Sequence, residues 1–279
     1  KPHGTKDDPF STYHIKNEGR SFQIPVHWHD EFEIIYVRSG FLTVSISGES
    51  YIGKTGDAFV VSPGNLHLMG SQSGTVDYYT FLFPLKYISF RTDDMLDEKL
   101  LEPLNSGHLM ICPRVNDTAK ELCEQLIEIY EAKNDESESK ITTQVRTKII
   151  LLQFILEMWK KGFVIENDTS GRNTVEKEMV SYIQQNFTGK ISLREFGEQF
   201  HLSEKYISRY FKEHFHITLS QYVTYLRLEH AKQLLQDTDI PVTDVAMQSG
   251  YQNVSYFIRS FQKAYAVSPL KYRKNNYSR

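Results

Sequence analysis

The sequence predicts an α+β protein whose first part is an antiparallel β-barrel with a helical pair and whose last part is an all-α domain. Three observations support this fold class: the chain length, a change in residue pattern along the chain, and a change in charge. A length of 279 residues is typical of two domains. Hydrophobic residues make up 40% of the chain, which is enough for two packed cores.

The charge is divided unequally between the two parts. Residues 174–279 carry 14 basic and 10 acidic residues, a net charge of +4. The remainder carries 18 basic and 25 acidic residues, a net charge of −7. An acidic first part and a basic last part fit a sensing domain joined to a domain that binds phosphate groups.

Residues 11 to 83 are predicted to be β-strands. Short segments such as EFEIIYV, FLTVSIS, DAFVVS and DYYTFLF are rich in β-branched and aromatic residues, and glycines separate them. Many short strands at nearly regular spacing are typical of an antiparallel sandwich or barrel. We leave 84–116 unassigned and take 1–116 as the first domain.

Two helices are predicted in 117–161. The second, 141–161, places apolar residues at heptad-like steps and is apolar on nearly every side. Two interpretations stay open: packing against the β domain, or a dimer interface built from both helices. The heptad-like positions are Val145, Ile149, Leu152, Leu156 and Trp159.

Residues 162–173 are predicted to be a linker, and 174–279 to be helical. Ser192 and Glu195 form the pattern of a capping box, and Thr218 with Gln221 forms another. Between and after them, apolar stripes at helical spacing predict short helices around one long helix.

A pattern occurs twice in this helical part, fifty positions apart. It reads SEKYISRYFKEHFHIT from Ser203 and NVSYFIRSFQKAYAVS from Asn253. Each copy combines a short helix, a turn and a second helix with an apolar inner and a polar outer stripe, which is the helix-turn-helix pattern. The outer residues are Lys205, Ser208, Arg209 and Lys212 in the first copy and Ser255, Tyr256, Arg259 and Lys263 in the second.

These outer faces suit double-stranded DNA. Arginine can donate two hydrogen bonds to guanine, so Arg209 and Arg259 are the best candidates for base contacts, and Lys212 and Lys263 for phosphate contacts. Two such helices must stand about 34 Å apart to enter successive major grooves. A connecting helix of roughly 17 residues at about 1.5 Å each spans the right order of distance. Asn253 is expected to cap its helix.

The stretch 174–273 resembles the DNA-binding domain of AraC/XylS-type transcription regulators. The resemblance rests on SEKYISRYFKEHF, on Tyr225-Leu226-Arg227 and on the run DIPVTDVAMQSGYQNVSYFIRSFQKAYAVSPLKYR. It implies base contacts near Lys205, Ser208 and Arg209 and near Asn253, Ser255, Tyr256 and Arg259. His216 and Ala266 stand where this family usually has glycine, so the conformation at the end of both recognition helices is in question.

A second set of polar residues lies in the β part. His27-x-His29-x3-Glu33 and, further on, Ser62-Pro63-Gly64-x2-His67 resemble the two motifs of the cupin barrel. Odd positions of a strand share a face, so the first three side chains can point into one cavity, which His67 can complete.

Three interpretations of this set stay open: an effector pocket, a metal site, and a structural hydrogen-bonded cluster. Three histidines and a carboxylate suit a divalent transition metal, although regulators of the AraC type commonly keep the motif without one. We favour the effector pocket, with no metal and no cofactor. Aromatic walls suit a sugar or related polar metabolite, and the candidate wall residues are Tyr36, Phe59, Tyr79 and Phe81.

The sequence therefore predicts a transcription regulator and not an enzyme. The predicted partners are promoter DNA, a small effector, a second copy of the chain and, as a further candidate, RNA polymerase. A metal-dependent cupin enzyme fused to helices is the alternative, and a sensor of a lipid or a protein is a third. The cysteines Cys112 and Cys123 lack metal or redox spacing, and no apolar run could cross a bilayer, so a cytoplasmic location is expected.

Overall fold

The computed structural model describes residues 4–5, 7–19, 21–71, 74–90, 94–115, 117–132, 139–167, 173–215 and 217–277. The chain forms two compact units, Lys1–Val175 and Glu176–Arg279. The predicted fold class is confirmed, since an antiparallel sheet with a helical pair precedes an all-α unit. Among the described residues, no helix combines the length and apolar character needed to span a bilayer.

The first unit is built on a seven-stranded antiparallel sheet. Its central strand, Phe32–Ile46, pairs with Thr75–Phe83 and Ala58–Val61 along its first half and with Glu49–Lys54 and His67–Ser71 along its second half. Because one strand belongs to both layers, the sheet curls into a half-barrel. The strands are β1 Ser11–Glu18, β2 Phe22–His27, β3 Phe32–Ile46, β4 Glu49–Lys54, β5 Ala58–Val61, β6 His67–Ser71 and β7 Thr75–Phe83.

The sheet buries both of its faces. On β3, Ile35 and Val37 belong to an inner apolar cluster that fills the half-barrel. Their neighbours Ile34 and Tyr36 belong to an outer cluster that includes the helices following the sheet. Successive strand residues point to opposite faces, so an uninterrupted apolar run is what a strand buried on both sides requires.

The α-helices and further strands of the first unit follow the sheet, beside short helical turns at Leu85–Tyr87 and Asp97–Leu101. These helices and strands are α1 Glu102–Asn105, β8 Leu109–Ile111, α2 Asp117–Glu131, α3 Lys140–Lys160 and β9 Val164–Glu166. Ser139 caps α3 by accepting a hydrogen bond from the backbone of Thr142. Leu151, Phe154 and Met158 on α3 are fully buried in the outer cluster.

Helix α2 is fixed to the sheet by two of its carboxylates. The hydroxyl of Tyr36 donates to Glu124. Glu131 accepts from the hydroxyl of Tyr79 at 2.9 Å and from the guanidinium of Arg38 at 2.7 Å. These bonds join the helix to the outer face of β3 and β7.

The structure differs from the sequence predictions at two places in this unit. Helix α3 is not buried on nearly every side, because packing on the sheet covers only one face. The linker predicted at 162–173 is in part a strand, since β9 pairs with β8. The heptad-like residues left about half exposed on α3 are Val145 (51%), Ile149 (51%), Leu156 (48%) and Trp159 (53%).

The second unit is helical. The helices are α4 Asn173–Asn186, α5 Leu193–Phe200, α6 Glu204–His214, α7 Leu219–Asp237, α8 Val242–Gln248, α9 Val254–Tyr265 and α10 Pro269–Tyr277. Both predicted capping boxes are present, at Ser192 with Glu195 and at Thr218 with Gln221. Ser203 and Asn253 cap α6 and α9 through their side chains.

The second unit contains two helix-turn-helix motifs, α5–α6 and α8–α9. The first buries Phe196 against Phe211, with ring centroids 5.9 Å apart. The second buries Phe257 and Phe261 against Leu235 and other residues of α7. The predicted apolar stripes are therefore the faces through which the helices of each motif pack together.

Two helices of these motifs end in residues with left-handed backbones that are not glycine. His201 after α5 has φ 56°, and Ala266 after α9 has φ 60°. The Ala266 N–H still donates to the carbonyl of Gln262, as an αL cap requires. The chain therefore keeps the usual cap conformation at Ala266 without the usual glycine, whereas His216 lies outside the described residues.

We predict that Ala266→Gly stabilises the protein. A left-handed conformation costs an alanine about 1–2 kcal/mol, while glycine costs roughly 0.5–1 kcal/mol in chain entropy, so a gain of about 1 kcal/mol in the free energy of unfolding is expected. Urea unfolding of the full chain measures it. Ala264→Gly, within the last turn of α9, is the matched control and should destabilise by up to about 1 kcal/mol. Destabilisation by Ala266→Gly would contradict the strain argument.

Candidate functional site

The outer face of α6 is open to solvent. Lys205, Ser208, Arg209 and Lys212 are all exposed, while Ile207 and Phe211 on the opposite side are fully buried. The guanidinium of Arg209 lies over the ring of Tyr206 at 5.9 Å and its Nε is 3.9 Å from Glu213. Such exposed contacts are weak, so the arginine is free to exchange them for a ligand.

The outer face of α9 has the same character. Ser255, Tyr256, Arg259 and Lys263 are exposed, and no acid among the described residues lies within ion-pair distance of Arg259. The Asn253 side chain accepts a hydrogen bond from the backbone of Tyr256 at 2.9 Å. Its amide oxygen is therefore engaged as a helix cap, as the sequence predicts.

Arg227 on α7 supports this unit from within. Its guanidinium donates to the carbonyls of Phe187 and Gly189, each at 2.7 Å, and lies over the ring of Tyr251 at 5.8 Å. Burial lowers the pKa of the guanidinium. In the sequence Arg227 is only part of a family motif, whereas in the structure its guanidinium joins α7 to the loop after α4.

The structure brings His27, His29, Glu33 and His67 together at one end of the half-barrel. His27 ends β2 and is the cross-strand partner of His67, which begins β6. His29 lies in the connection to β3, where Glu33 is the second residue. The four residues thus meet through strand pairing and a turn, and not because three of them share one strand, as the sequence argument assumed.

Each imidazole of this histidine–glutamate cluster is fixed by a main-chain carbonyl. The Nδ1 atoms of His27, His29 and His67 lie 2.9 Å from the carbonyl oxygens of Pro25, Glu31 and Asn65, respectively. A carbonyl oxygen can only accept, so each Nδ1 carries the proton. One ring nitrogen of each histidine lies within 4.8 Å of the other two.

Glu33 provides the negative charge of the cluster. Its Oε2 is 3.2 Å from Nε2 of His29 and 3.0 Å from Nε2 of His67, although the latter contact lies outside hydrogen-bond geometry. Burial raises the pKa of Glu33, but its interactions with His29 and His67 outweigh burial and hold the pKa well below its usual range. The carboxylate is therefore ionised at neutral pH.

The histidines respond differently to the same surroundings. Burial lowers the pKa of His27 to about 3, so this ring is neutral. Burial also opposes protonation of His29, but the hydrogen bond to Glu33 and the charge of Glu33 leave its pKa raised. The cluster therefore couples an ionised carboxylate to an imidazole that readily takes a second proton.

This donor set fits a divalent transition metal. Main-chain carbonyls that hold the Nδ1–H groups are the outer-shell partners that metal-binding histidines usually have, and they leave Nε2 free to coordinate. A cation between the three rings and Glu33 would take the place of the second proton that Glu33 attracts to His29. A metal bound there would supply Lewis-acid chemistry.

Tyr36 is not part of this cluster. It lies on the outer face of β3, where its hydroxyl donates to Glu124, whereas Glu33 points the other way. Tyr79 and Phe81 also lie on the outer face, and Phe59 alone of the predicted wall residues belongs to the inner cluster. The prediction of one pocket shared by all of them is wrong, because positions 33 and 36 differ in parity along the strand.

Two family profiles match the chain. An AraC-like ligand binding domain matches residues 9–155, more than half of the chain, and a helix-turn-helix domain matches residues 196–275. The two profiles together cover the half-barrel, most of the helical pair and nearly all of both helix-turn-helix motifs.

Curated relatives align over nearly the whole chain. The HTH-type transcriptional regulator YdeC of Bacillus subtilis is 29% identical over 98% of this chain and 94% of its own length. The melibiose operon regulatory protein of Escherichia coli is 23% identical over 89% of this chain and 83% of its own, and RhaS of Enterobacter sp. is 24% identical over 90% and 87%. The crystal structure of apo ToxT from Vibrio cholerae aligns over 98% of both chains with a TM-score of 0.52 at 14% identity, which concerns the fold alone.

Proposed function

The chain belongs to the AraC family and is a DNA-binding transcription regulator with an AraC-like ligand-binding domain. We propose that α6 and α9 bind promoter DNA sequence-specifically and that a small effector controls this binding. The observation that carries this proposal is the pair of exposed basic helix faces, each closed on a buried aromatic stripe. Arg209 and Arg259 contact bases, and Lys212 and Lys263 contact phosphates. The further contacts are Lys205, Ser208, Asn253, Ser255 and Tyr256.

The proposed effector is a sugar or related polar metabolite bound by the first unit. One relative is a melibiose operon regulatory protein, which supports a carbohydrate. To regulate DNA binding, the effector must bind one arrangement of the protein more tightly than another. His27, His29, Glu33 and His67 are the contacts that the sequence predicts for this effector, and a cavity on the outer side of the sheet is the rival location.

The proposed regulator is a homodimer joined through α3. The exposed residues Val145, Ile149, Leu156 and Trp159, with the partly buried Leu152, follow the alternating three- and four-residue steps of a coiled-coil seam. A continuous apolar stripe exposed on one helix is typical of an interaction surface, because a second copy packed on it would remove it from water. RNA polymerase remains a candidate partner of the DNA-bound dimer.

A metal-dependent cupin enzyme is the second candidate function, because three imidazoles and a carboxylate converge in the first unit. The regulator is preferred because the family relatives are transcription regulators. We expect the purified protein to carry no stoichiometric metal. Elemental analysis of wild type and His29→Ala checks this, with Asp30→Ala, an exposed neighbour, as the control. Stoichiometric metal lost only in His29→Ala would favour the enzyme.

We predict that Arg209→Ala and Arg259→Ala each lose discrimination at one base position, by about 1–3 kcal/mol. Lys212→Ala, on the same face as Arg209, should instead weaken binding to all sequences and reduce the salt slope by about 1. Fluorescence anisotropy with an operator series at several salt concentrations separates these outcomes. If both arginine variants weaken binding equally for all operator sequences, Arg209 and Arg259 contact phosphates and not bases. Absence of binding to any upstream promoter at ~0.1 M salt would overturn the regulator itself.

We predict that the double variant Val145→Glu with Leu156→Glu is monomeric where the wild type is dimeric, because the seam would then bury two carboxylates. Analytical ultracentrifugation measures the change. Gln153→Glu adds a charge at an exposed position beside the stripe and should leave the dimer intact. A double variant that remains dimeric would place the interface elsewhere.

A further inference from the structure

A cavity of about 430 Å³ lies on the outer side of the sheet, away from the histidine–glutamate cluster. Its walls come from the segment before β1, from β1 itself, and from α2 and α3. Phe10 forms part of it and is held in place by stacking on Phe81 at 6.3 Å and on Tyr87 at 6.5 Å between ring centroids. The volume lies within the range of small-molecule sites, roughly 300–1,000 Å³.

Two buried hydroxyls in the cavity walls have no partner within the described chain. They belong to Thr12 on β1 and to Tyr87 after β7. Buried polar groups are nearly always hydrogen-bonded, and an unpaired one costs free energy. Burial, with a contribution from Asp8, raises the pKa of Tyr87 to about 12, so its hydroxyl keeps its proton and can donate. Both groups therefore call for a partner that occupies the cavity.

The other walls indicate what that partner is. The rings of Phe10, Tyr87 and Tyr130 provide apolar faces, and several threonine side chains and the amide of Gln144 provide hydrogen-bonding groups. Asp7 and Asp8 are opposed by Lys140 in the wall and by Lys148, whose Nζ lies 4.6 Å from the centre of the Tyr87 ring. Among the described residues, charges of both signs at the cavity disfavour a strongly ionic ligand, and the hydroxyls disfavour a purely apolar one.

We propose that this cavity, and not the histidine–glutamate cluster, is the effector site and that it binds a neutral polyhydroxylated molecule of mono- or disaccharide size. Thr12 and Tyr87 hydrogen-bond its hydroxyls, and the aromatic rings pack on its C–H faces. The inference rests on the proposed function, since it locates the effector of that regulator.

The location of the cavity also provides a route for regulation. Thr143, Gln144 and Thr147 of α3 line it, while Val145 and Ile149 of the same helix belong to the exposed seam. The Gln144 amide donates to the carbonyl of Asp7 at 2.8 Å, which links this helix to the segment before β1. A ligand in the cavity therefore contacts both the N-terminal segment and the helix that joins two copies.

The test uses the full chain and a fixed set of probes: D-glucose, D-galactose, L-rhamnose, melibiose and myo-inositol, each at millimolar concentration. Thermal unfolding identifies the compounds that raise Tm, and calorimetry gives Kd. We compare wild type with Thr12→Val, Tyr87→Phe and their combination. Tyr78→Phe is the matched control, because its hydroxyl is also buried without a partner but lies in the inner cluster.

At least one probe should raise the Tm of the wild type and of Tyr78→Phe. Its Kd should rise about tenfold for each hydroxyl removed from Thr12 and Tyr87. Without probe, the double variant should be at least as stable as the wild type, since it removes two unpaired buried groups, and should bind DNA equally well. Retained DNA binding shows that the regulator persists even where the site is lost.

Two results would overturn the proposal. If no probe raises the Tm of the wild type, the cavity does not take a polyhydroxylated ligand. If a probe binds the double variant as well as the wild type but fails on Tyr78→Phe or His67→Ala, the effector belongs to the inner side of the half-barrel. Neither result would affect DNA binding by α6 and α9, which is measured separately.

Discussion

Burial of both faces of β3 is the constraint on which the first unit depends. From Phe32 to Val37 every residue of this strand is buried, alternately within the half-barrel and against the helical pair. The outer contacts hold α2 and α3 on the sheet, and this packing in turn forms the wall of the cavity and leaves one stripe of α3 uncovered. If the outward-facing residues of β3 were polar, α2 and α3 would lose the apolar surface on which they pack.

The second unit depends on local devices repeated twice. Each recognition helix begins at a side-chain cap, Ser203 or Asn253, and closes on an aromatic stripe that includes Phe211 or Phe261. Burying those rings leaves the basic residues of the other face in water. The long helix α7 contributes buried residues to the second motif and, through Arg227, holds the loops near α4. The exposed charges are thus a consequence of the packing and not a separate feature.

The sequence predicted most where the signal is local. Capping boxes, helical stripes and strand alternation depend on neighbours a few positions apart, and both predicted boxes and the helical pair are present. It failed where the outcome depends on distant pairing. The assignment of Tyr36 to the pocket ignored strand parity, and β9 was taken for linker because its partner β8 lies more than fifty positions earlier. The cavity had no sequence signal, since its walls come from four separate segments.

The two carboxylates that fix α2 lie seven positions apart, which is about two helical turns. Glu124 and Glu131 thus bind Tyr36 and Tyr79 with the helix in a single register. Sliding by one turn would break both hydrogen bonds at once and leave the hydroxyl of the buried Tyr36 without its acceptor. The two hydrogen bonds therefore hold α2 in one register on the sheet. A ligand in the cavity would then act through α3, which lines the cavity on one face and is exposed on the other.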